Sequence, residues 1–260
     1  MATAARLTDD QLREMLELVK GSDSVELKLT VPENDHSSAI RSLDMDPLEA
    51  QMRQVYFFDT PDLTLNGAGV IVRARRIQGR EGDTVVKLRP VVPAELPASM
   101  RTSGSFGVEV DAMPGGFVCS ASFRGIPGTD IRATAQGAGR ISKLYSKEQR
   151  DFYKRYAPDG LVMDDLSALG PITLLKLKFK PKDFARKLVA EMWFYPDGSR
   201  ILELSTKCLP TEAIQAATEA RLFLSSHGVD LSGEQQTKTK TALEYFSGLV
   251  KERSAATASS

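Results

Sequence analysis

Between residues 25 and 110 the apolar positions recur with a period of two, which specifies strands and not helices. The pattern runs through Val25, Leu27 and Leu29, then Val72 and Ala74, Val86 and Leu88, and Val108 and Val110. It returns at Leu175, Leu177 and Phe179 and at Leu202 and Leu204. Side chains alternate faces along a strand, so each segment has one oily face. Helical spacing brackets this region. Residues 8–20 carry Thr8 as an N-cap, acids in the first turn and Leu12, Met15, Leu16 and Leu18 at helical intervals, predicting an opening helix. Residues 46–54 allow only a short helix or turn. The aromatics of Tyr56-Phe-Phe-Asp-Thr-Pro61 then favour a strand that the proline stops.

Residues 113–139 are rich in Gly, Ala, Ser and Pro and read as a connection with one short helix. Two hairpins follow on one turn recipe: Ala157-Pro-Asp-Gly160 joins 150–156 to 161–166, and Tyr195-Pro-Asp-Gly198 joins 189–194 to 200–204. Proline presets each turn and glycine accepts the positive φ. Residues 210–250 regain an Ala- and Leu-rich helical period, interrupted near Gly228 and Gly233, which predicts two C-terminal helices. The expected organisation is one domain over 1–250, with its core at 22–208, its C-terminal helices at 210–250 and a disordered tail at 251–260.

The 260 residues hold 34 Lys and Arg against 34 Asp and Glu, and this zero formal charge argues against a globally basic nucleic-acid binder. No run approaches the ~20 apolar residues of a membrane span, and no secretory leader opens the chain. Cys119 and Cys208 stand far apart without metal-binding spacing, so a cytoplasmic protein is expected.

The second face of each strand is densely charged. Reading alternate residues gives Glu26 and Lys28; Arg73 and Arg75; Lys87 and Arg89; Glu109 and Asp111; Lys176 and Lys178; then Glu203, Ser205 and Lys207. Such a face belongs either to a sheet wetted on one side or to a barrel whose interior carries the charge. Like charges at i and i+2 repel unless an opposite charge or a ligand lies between them. For the barrel, the inward bases are Lys28, Arg73, Arg75, Lys87, Arg89, Lys176 and Lys178. The inward acids, with Glu191 added, are Glu26, Glu109, Asp111, Glu191 and Glu203, so the bases exceed them by two. A polyanion would neutralise the bases and a divalent cation the carboxylates. Oxygen donors without His or Cys point to Mg²⁺ or Mn²⁺.

These residues resemble the CYTH family, the triphosphate tunnel metalloenzymes. Ser24-Val-Glu-Leu-Lys28 is similar to the family's opening Glu-x-Glu-x-Lys strand, with serine at the first acid. Tyr56-Phe-Phe-Asp-Thr-Pro-Asp-Leu63 through Gly69-Val-Ile-Val-Arg-Ala-Arg75 follows its Arg-x-Arg region, and Val86-Lys-Leu-Arg-Pro90 its next basic strand. Val108-Glu-Val-Asp111 resembles the central acidic strand, and Lys147 with Arg150 the basic residues before an aromatic. Leu161-Val-Met-Asp164 with Leu169-Gly170 resembles the Asp and Leu-Gly stretch before a late strand. That strand, usually acidic, here reads Leu174-Leu-Lys-Leu-Lys178.

The resemblance implies an α+β fold: an antiparallel eight-stranded closed β-barrel, or tunnel, with covering N- and C-terminal helices. It implies a metal-dependent triphosphatase acting on inorganic triphosphate or a triphosphorylated organic compound, with Mg²⁺ or Mn²⁺ as cofactor. Glu26 and Lys28 stand nearest the chemistry. Lys28, Arg73, Arg75, Lys87, Arg89, Arg150, Lys176 and Lys178 would grip substrate, and Glu26, Glu109, Asp111, Glu191 and Glu203 would hold metal. With Glu191 and Glu203 in place of the missing acids a metal site survives; without them, phosphate binding without turnover becomes an alternative. The alternatives are an adenylyl cyclase of the same fold and a non-catalytic polyphosphate- or nucleotide-binding module.

Other signals carry less chemistry. There is no GxxxxGK[ST] loop and no HExxH. His36 and His227 read as exposed and non-catalytic, Trp193 as packing between strand and helix, and the two cysteines as small buried residues without a role. Arg140 and Lys143 read as a solvated stripe.

Overall fold

A computed structural model of the chain describes residues 9–231 and 238–258. Nine strands close into a barrel: β1 (Ser24–Val31), β2 (Gln51–Asp59), β3 (Val70–Ile77), β4 (Arg80–Leu88), β5 (Phe106–Met113), β6 (Gly116–Gly125), β7 (Ser167–Phe179), β8 (Leu188–Phe194) and β9 (Arg200–Cys208). Their order around the wall is β1-β5-β6-β4-β3-β2-β7-β8-β9. Neighbours are antiparallel except β1 and β5, which run parallel with Glu26 opposite Asp111.

The count is nine strands and not eight, and β6 lies inside the stretch read as a connection. Its signal is an alternation of small residues. Cys119, Ala121 and Phe123 are buried on the outer face, while Ser120 and Ser122 take the inner one. Ser122 faces Lys87 across the β4–β6 pair.

Among the described residues seven α-helices flank the wall: α1 (Asp9–Lys20), α2 (His36–Ser42), α3 (Thr64–Gly67), α4 (Ile131–Ala135), α5 (Lys147–Tyr156), α6 (Ala213–Ser226) and α7 (Lys238–Ala258). The strands' oily faces point outward and are buried under them. Val25, Val72, Val86, Val108 and Val110 cluster with Phe152 and Tyr153 of α5. Leu29, Val31, Leu202 and Leu204 cluster with Ala39 of α2 and Phe223 and Leu224 of α6. At ~25 cal/mol per Å² of apolar surface, this outer burial is the main source of stability.

A third core is different in kind. Val55, Phe57, Leu174, Trp193 and Ile201 share the inner face with the charged residues and are met by Ala242, Leu243 and Phe246 of α7. That helix therefore closes one end of the barrel. Ser247 donates to the Pro61 carbonyl at 2.6 Å, and Lys251 pairs with Asp62 at 2.9 Å.

Several expectations are corrected. Residues 150–156 are not a hairpin strand but part of α5. Gln149, Phe152 and Tyr153 are buried at helical spacing, and Ser146 with Gln149 forms a reciprocal capping box. Residues 161–166 hold a 3₁₀ turn, Met163–Asp165. The Tyr195-Pro-Asp-Gly198 hairpin forms as expected, with Gly198 at φ 87°. Helix α7 continues to Ala258, so the tail from 251 is helical over its described part. His36 is buried, its Nε2 3.1 Å from the Val31 carbonyl, and burial lowers its pKa. Thr8 and Gly233 lie outside the described residues. No helix among the described residues is long and apolar enough to cross a membrane.

Gln149 joins α5 to the barrel. Its amide donates to the carbonyls of Thr84 (3.1 Å) and Phe123 (3.2 Å), and its oxygen accepts from Thr84 Oγ1 (3.0 Å) and Ser146 N (2.9 Å). Gln149→Met keeps the volume and removes all of these bonds from a fully buried position. The expected loss is about 3 kcal/mol of unfolding free energy in urea, since orphaned buried groups cost ~1–3 kcal/mol each; an unchanged midpoint refutes the anchoring role.

Candidate functional site

The barrel brings the alternating ionic residues to one enclosed space. Glu26 lies between Asp111 on β5 and Lys207 on β9, and Glu191 lies between Lys176 on β7 and Glu203 on β9. Two carboxylate pairs thus stand directly across strands, Glu26 with Asp111 and Glu191 with Glu203. Such pairs are repulsive without a counter-ion, and each has one.

Lys28 serves the first pair, its Nζ 3.3 Å from Glu26 and 2.9 Å from Asp111. Burial works against its charge, but Glu26 and Asp111 prevail and push its pKa up. Burial also opposes the Glu26 carboxylate, yet Lys28 and Lys207 hold its pKa below the ordinary value. Asp111 is fully buried and ion-pairs with Arg89 at 3.0 Å; neither of its oxygens accepts an aligned hydrogen bond. Against the effect of burial, Lys28, Lys87 and Arg89 lower its pKa. Glu109 completes the group. It accepts from Ser24 Oγ at 3.4 Å and pairs with Lys207, while Ser205 donates to Glu26 at 3.1 Å. Ser24, in the place of an acid, therefore holds one.

Glu26, Glu109 and Asp111 each offer a carboxylate oxygen, all within 4.8 Å of one another. Three hard donors, with Asp111 buried and short of aligned hydrogen bonds, fit an oxygen-preferring divalent ion. They are the residues that could hold Mg²⁺ or Mn²⁺.

The second pair is arranged otherwise. Lys238, at the first turn of α7, reaches both acids, pairing with Glu191 and standing 2.7 Å from Glu203. Glu191 also accepts from Lys176 at 2.6 Å and from Trp193 Nε1 at 3.3 Å. Burial raises the Glu191 pKa, but Lys238 and Lys176 outweigh it and hold the carboxyl well below its usual range. Glu191 and Glu203 are not among the three carboxylates that lie within 4.8 Å of one another, although Lys28 feels the charge of Glu203 and Glu26 that of Lys238.

The predicted bases divide into three groups. Arg75 is engaged by Asp83 at 2.7 and 2.8 Å, Arg89 by Asp111 and Lys176 by Glu191. Arg73 and Lys87 point inward with no ion pair to any carboxylate among the described residues. Burial, with Arg75 adding to it, lowers Arg73 to about 9; burial lowers Lys87 to about 8 against the pull of Asp111. Lys178 is exposed at the end of β7. Arg150 is outside the barrel on α5, where its guanidinium donates to the backbone carbonyls of Tyr145 and Ser142. The expectation that it enters the tunnel rested on the strand that α5 replaces.

Sequence reasoning missed Arg53, Asp83 and Lys238 and left Lys207 out of its count. Arg53 and Asp83 follow the same alternation as their neighbours and were legible. Lys238 lies beyond the strands, and nothing local marks it. Two surface clefts, of about 460 Å³ beside the β3–β4 turn and about 630 Å³ beside α5, do not include the acidic cluster.

The fold is that of known proteins. A provisionally named adenylate cyclase from Bacillus halodurans superimposes with a TM-score of 0.58 at 13% identity, over 84% of this chain and 97% of that one. HpAC1 from Hippeastrum, a provisionally named adenylyl cyclase with a dominant triphosphatase activity, gives a TM-score of 0.55 at 17% identity, over 81% of this chain and 91% of that one. No family model and no curated protein matches the sequence. The class defined is a closed mixed β-barrel with flanking helices, shared with these cyclase- and triphosphatase-named structures.

Holding Lys87 charged in the lumen without an ion pair costs the fold stability, since burial outweighs the pull of Asp111 and Glu109. Lys87→Met is expected to stabilise the ligand-free protein by about 3 kcal/mol at pH 7, from the size of the pKa depression. It should also weaken tripolyphosphate binding at least tenfold. The sign follows from the depressed pKa: the ammonium is present below about pH 8 and lost above it. Calorimetric affinity of the wild-type chain should therefore fall as pH rises through 8, and the variant should lack that step. A flat wild-type profile would remove Lys87 from the site.

Proposed function

We propose that this chain is a metal-dependent triphosphatase of the CYTH type, hydrolysing inorganic triphosphate or a triphosphorylated small molecule inside the barrel. The observation that carries this reading is the cluster of the Glu26, Glu109 and Asp111 carboxylates on the inner face, with Lys87 close to Asp111 and Glu109 yet in no ion pair, and with Arg73 on the same inner face further round the barrel. The triphosphatase activity of HpAC1 on the same fold favours hydrolysis over cyclisation.

Arg73 and Lys87 would capture the phosphate chain, Arg73 through its planar fork and Lys87 as a compact charge. Lys28, already fixed between Glu26 and Asp111, stands where it can neutralise charge gathering on the phosphoryl oxygens. Glu26 stays ionised at neutral pH and orients a water toward the terminal phosphorus, with Ser205 setting its carboxylate. Glu26, Glu109 and Asp111 would hold Mg²⁺ or Mn²⁺, which when bound polarises phosphate oxygens and makes water more acidic. The protein's task is placement and charge balance, since phosphoryl transfer asks little covalent chemistry of it.

Incubation with tripolyphosphate, ATP or thiamine triphosphate plus Mg²⁺ or Mn²⁺ tests this directly. Phosphate release is expected; cyclic AMP from ATP would make the chain a cyclase, and binding without turnover would make it a phosphate-binding module. Glu26→Gln should lower kcat by at least 10²-fold with an unchanged circular-dichroism spectrum. Asp111→Asn should abolish metal-dependent turnover. Wild-type rates in both variants would refute the assignment.

A further inference from the structure

The two cross-strand carboxylate pairs differ in what already occupies them. The Glu26 and Asp111 pair also has a tethered cation, Lys28, with Arg89 on Asp111, but Glu109 stands beside it as a third acid and the Asp111 oxygens lack aligned hydrogen bonds. Around Glu191 and Glu203, described donors take up three of the four oxygens. Glu191 receives Lys176 on one oxygen and Trp193 Nε1 with Lys238 on the other, and Glu203 receives Lys238. Lys238 is also fixed from several sides. Its carbonyl accepts from Tyr195 Oη at 3.1 Å, its ammonium lies 5.3 Å from the centre of the Trp193 ring, and burial against its charge is outweighed by Glu191 and Glu203.

We infer that the Lys238 ammonium is the built-in cation of the Glu191 and Glu203 pair and limits this chain to one divalent ion, held at Glu26, Glu109 and Asp111. This rests on the metal reading of the proposed function. A covalently tethered charge is present at any metal concentration and loses little entropy on pairing, so a free ion competes with it poorly. The same contact ties the start of α7 to the lumen, so the closure of that end of the barrel and the number of metals are set by one residue.

Counting bound Mn²⁺ on the full chain, from the loss of the free-ion electron paramagnetic resonance signal, tests the inference without reference to activity. The wild-type chain should bind one equivalent and Lys238→Met two, with the second lost again in Lys238→Met combined with Glu203→Gln. Lys238→Arg keeps the charge and should bind one. Two equivalents in the wild-type chain, or one in a folded Lys238→Met, overturns the inference and leaves the proposed function standing. No Mn²⁺ in the wild-type chain overturns both. Should Lys238→Met fail to fold, Lys238→Gln takes its place with the same expected count of two, and the wild-type count still decides by itself.

Discussion

Compensation of charge in a closed space is the constraint on which this structure depends. A carboxylate or ammonium taken out of water loses several kcal/mol of solvation, and only close, well-placed partners return it. In this barrel every buried acid described at the site has a cation against it: Lys28 and Arg89 on Asp111, Lys28 on Glu26, Lys207 on Glu109, Lys176 and Lys238 on Glu191, Lys238 on Glu203. The converse does not hold, because Arg73 and Lys87 have no such partner. The imbalance is one-sided. It leaves uncompensated positive charge inside a chain whose formal net charge is zero.

The architecture makes that concentration of charge tolerable by inverting the usual arrangement. Valines and leucines that would line the inside of a small barrel face outward here, where α2, α5 and α6 cover them. Stability comes from this outer shell, and the interior is released to carry function. An apolar part of the inner face, around Phe57, Leu174, Trp193 and Ile201, lies where α7 seals the barrel. The lumen thus divides into a packed end and an ionic remainder, and the C-terminal helix separates the charges from solvent on that side.

Much of this was legible from alternation alone. The pairs Glu26 and Lys28, Arg73 and Arg75, Lys87 and Arg89, and Glu109 and Asp111 all share the inner face that their spacing specifies. The strand β6 was not legible, because its inner positions are serines and its outer ones include Cys119 and Ala121, residues as common in loops as in strands. Arg150 was misplaced for a related reason. Arg150 to Tyr156 shows no clean period of two, and Ala157-Pro-Asp-Gly160 suits a hairpin; the deciding signal was the Ser146 and Gln149 capping box just upstream. Lys238 lay furthest out of reach, since only the docking of α7 brings it to Glu191.

Lys238 also shows that two lumen carboxylate pairs alike in register can have different surroundings. Alternation places Glu191 and Glu203 inward as surely as Glu26 and Asp111, and register sets both pairs face to face. What separates them is the donors that arrive from elsewhere. Around Glu191 there are two ammonium groups and an indole N–H, each directed at an oxygen. Around Asp111 the cations stand close without aligned hydrogen bonds, and Glu109 is near enough to complete a set of oxygen donors. The surroundings of a lumen carboxylate therefore depend on the whole shell of partners, including those supplied by helices, and alternation along the strands does not reveal them.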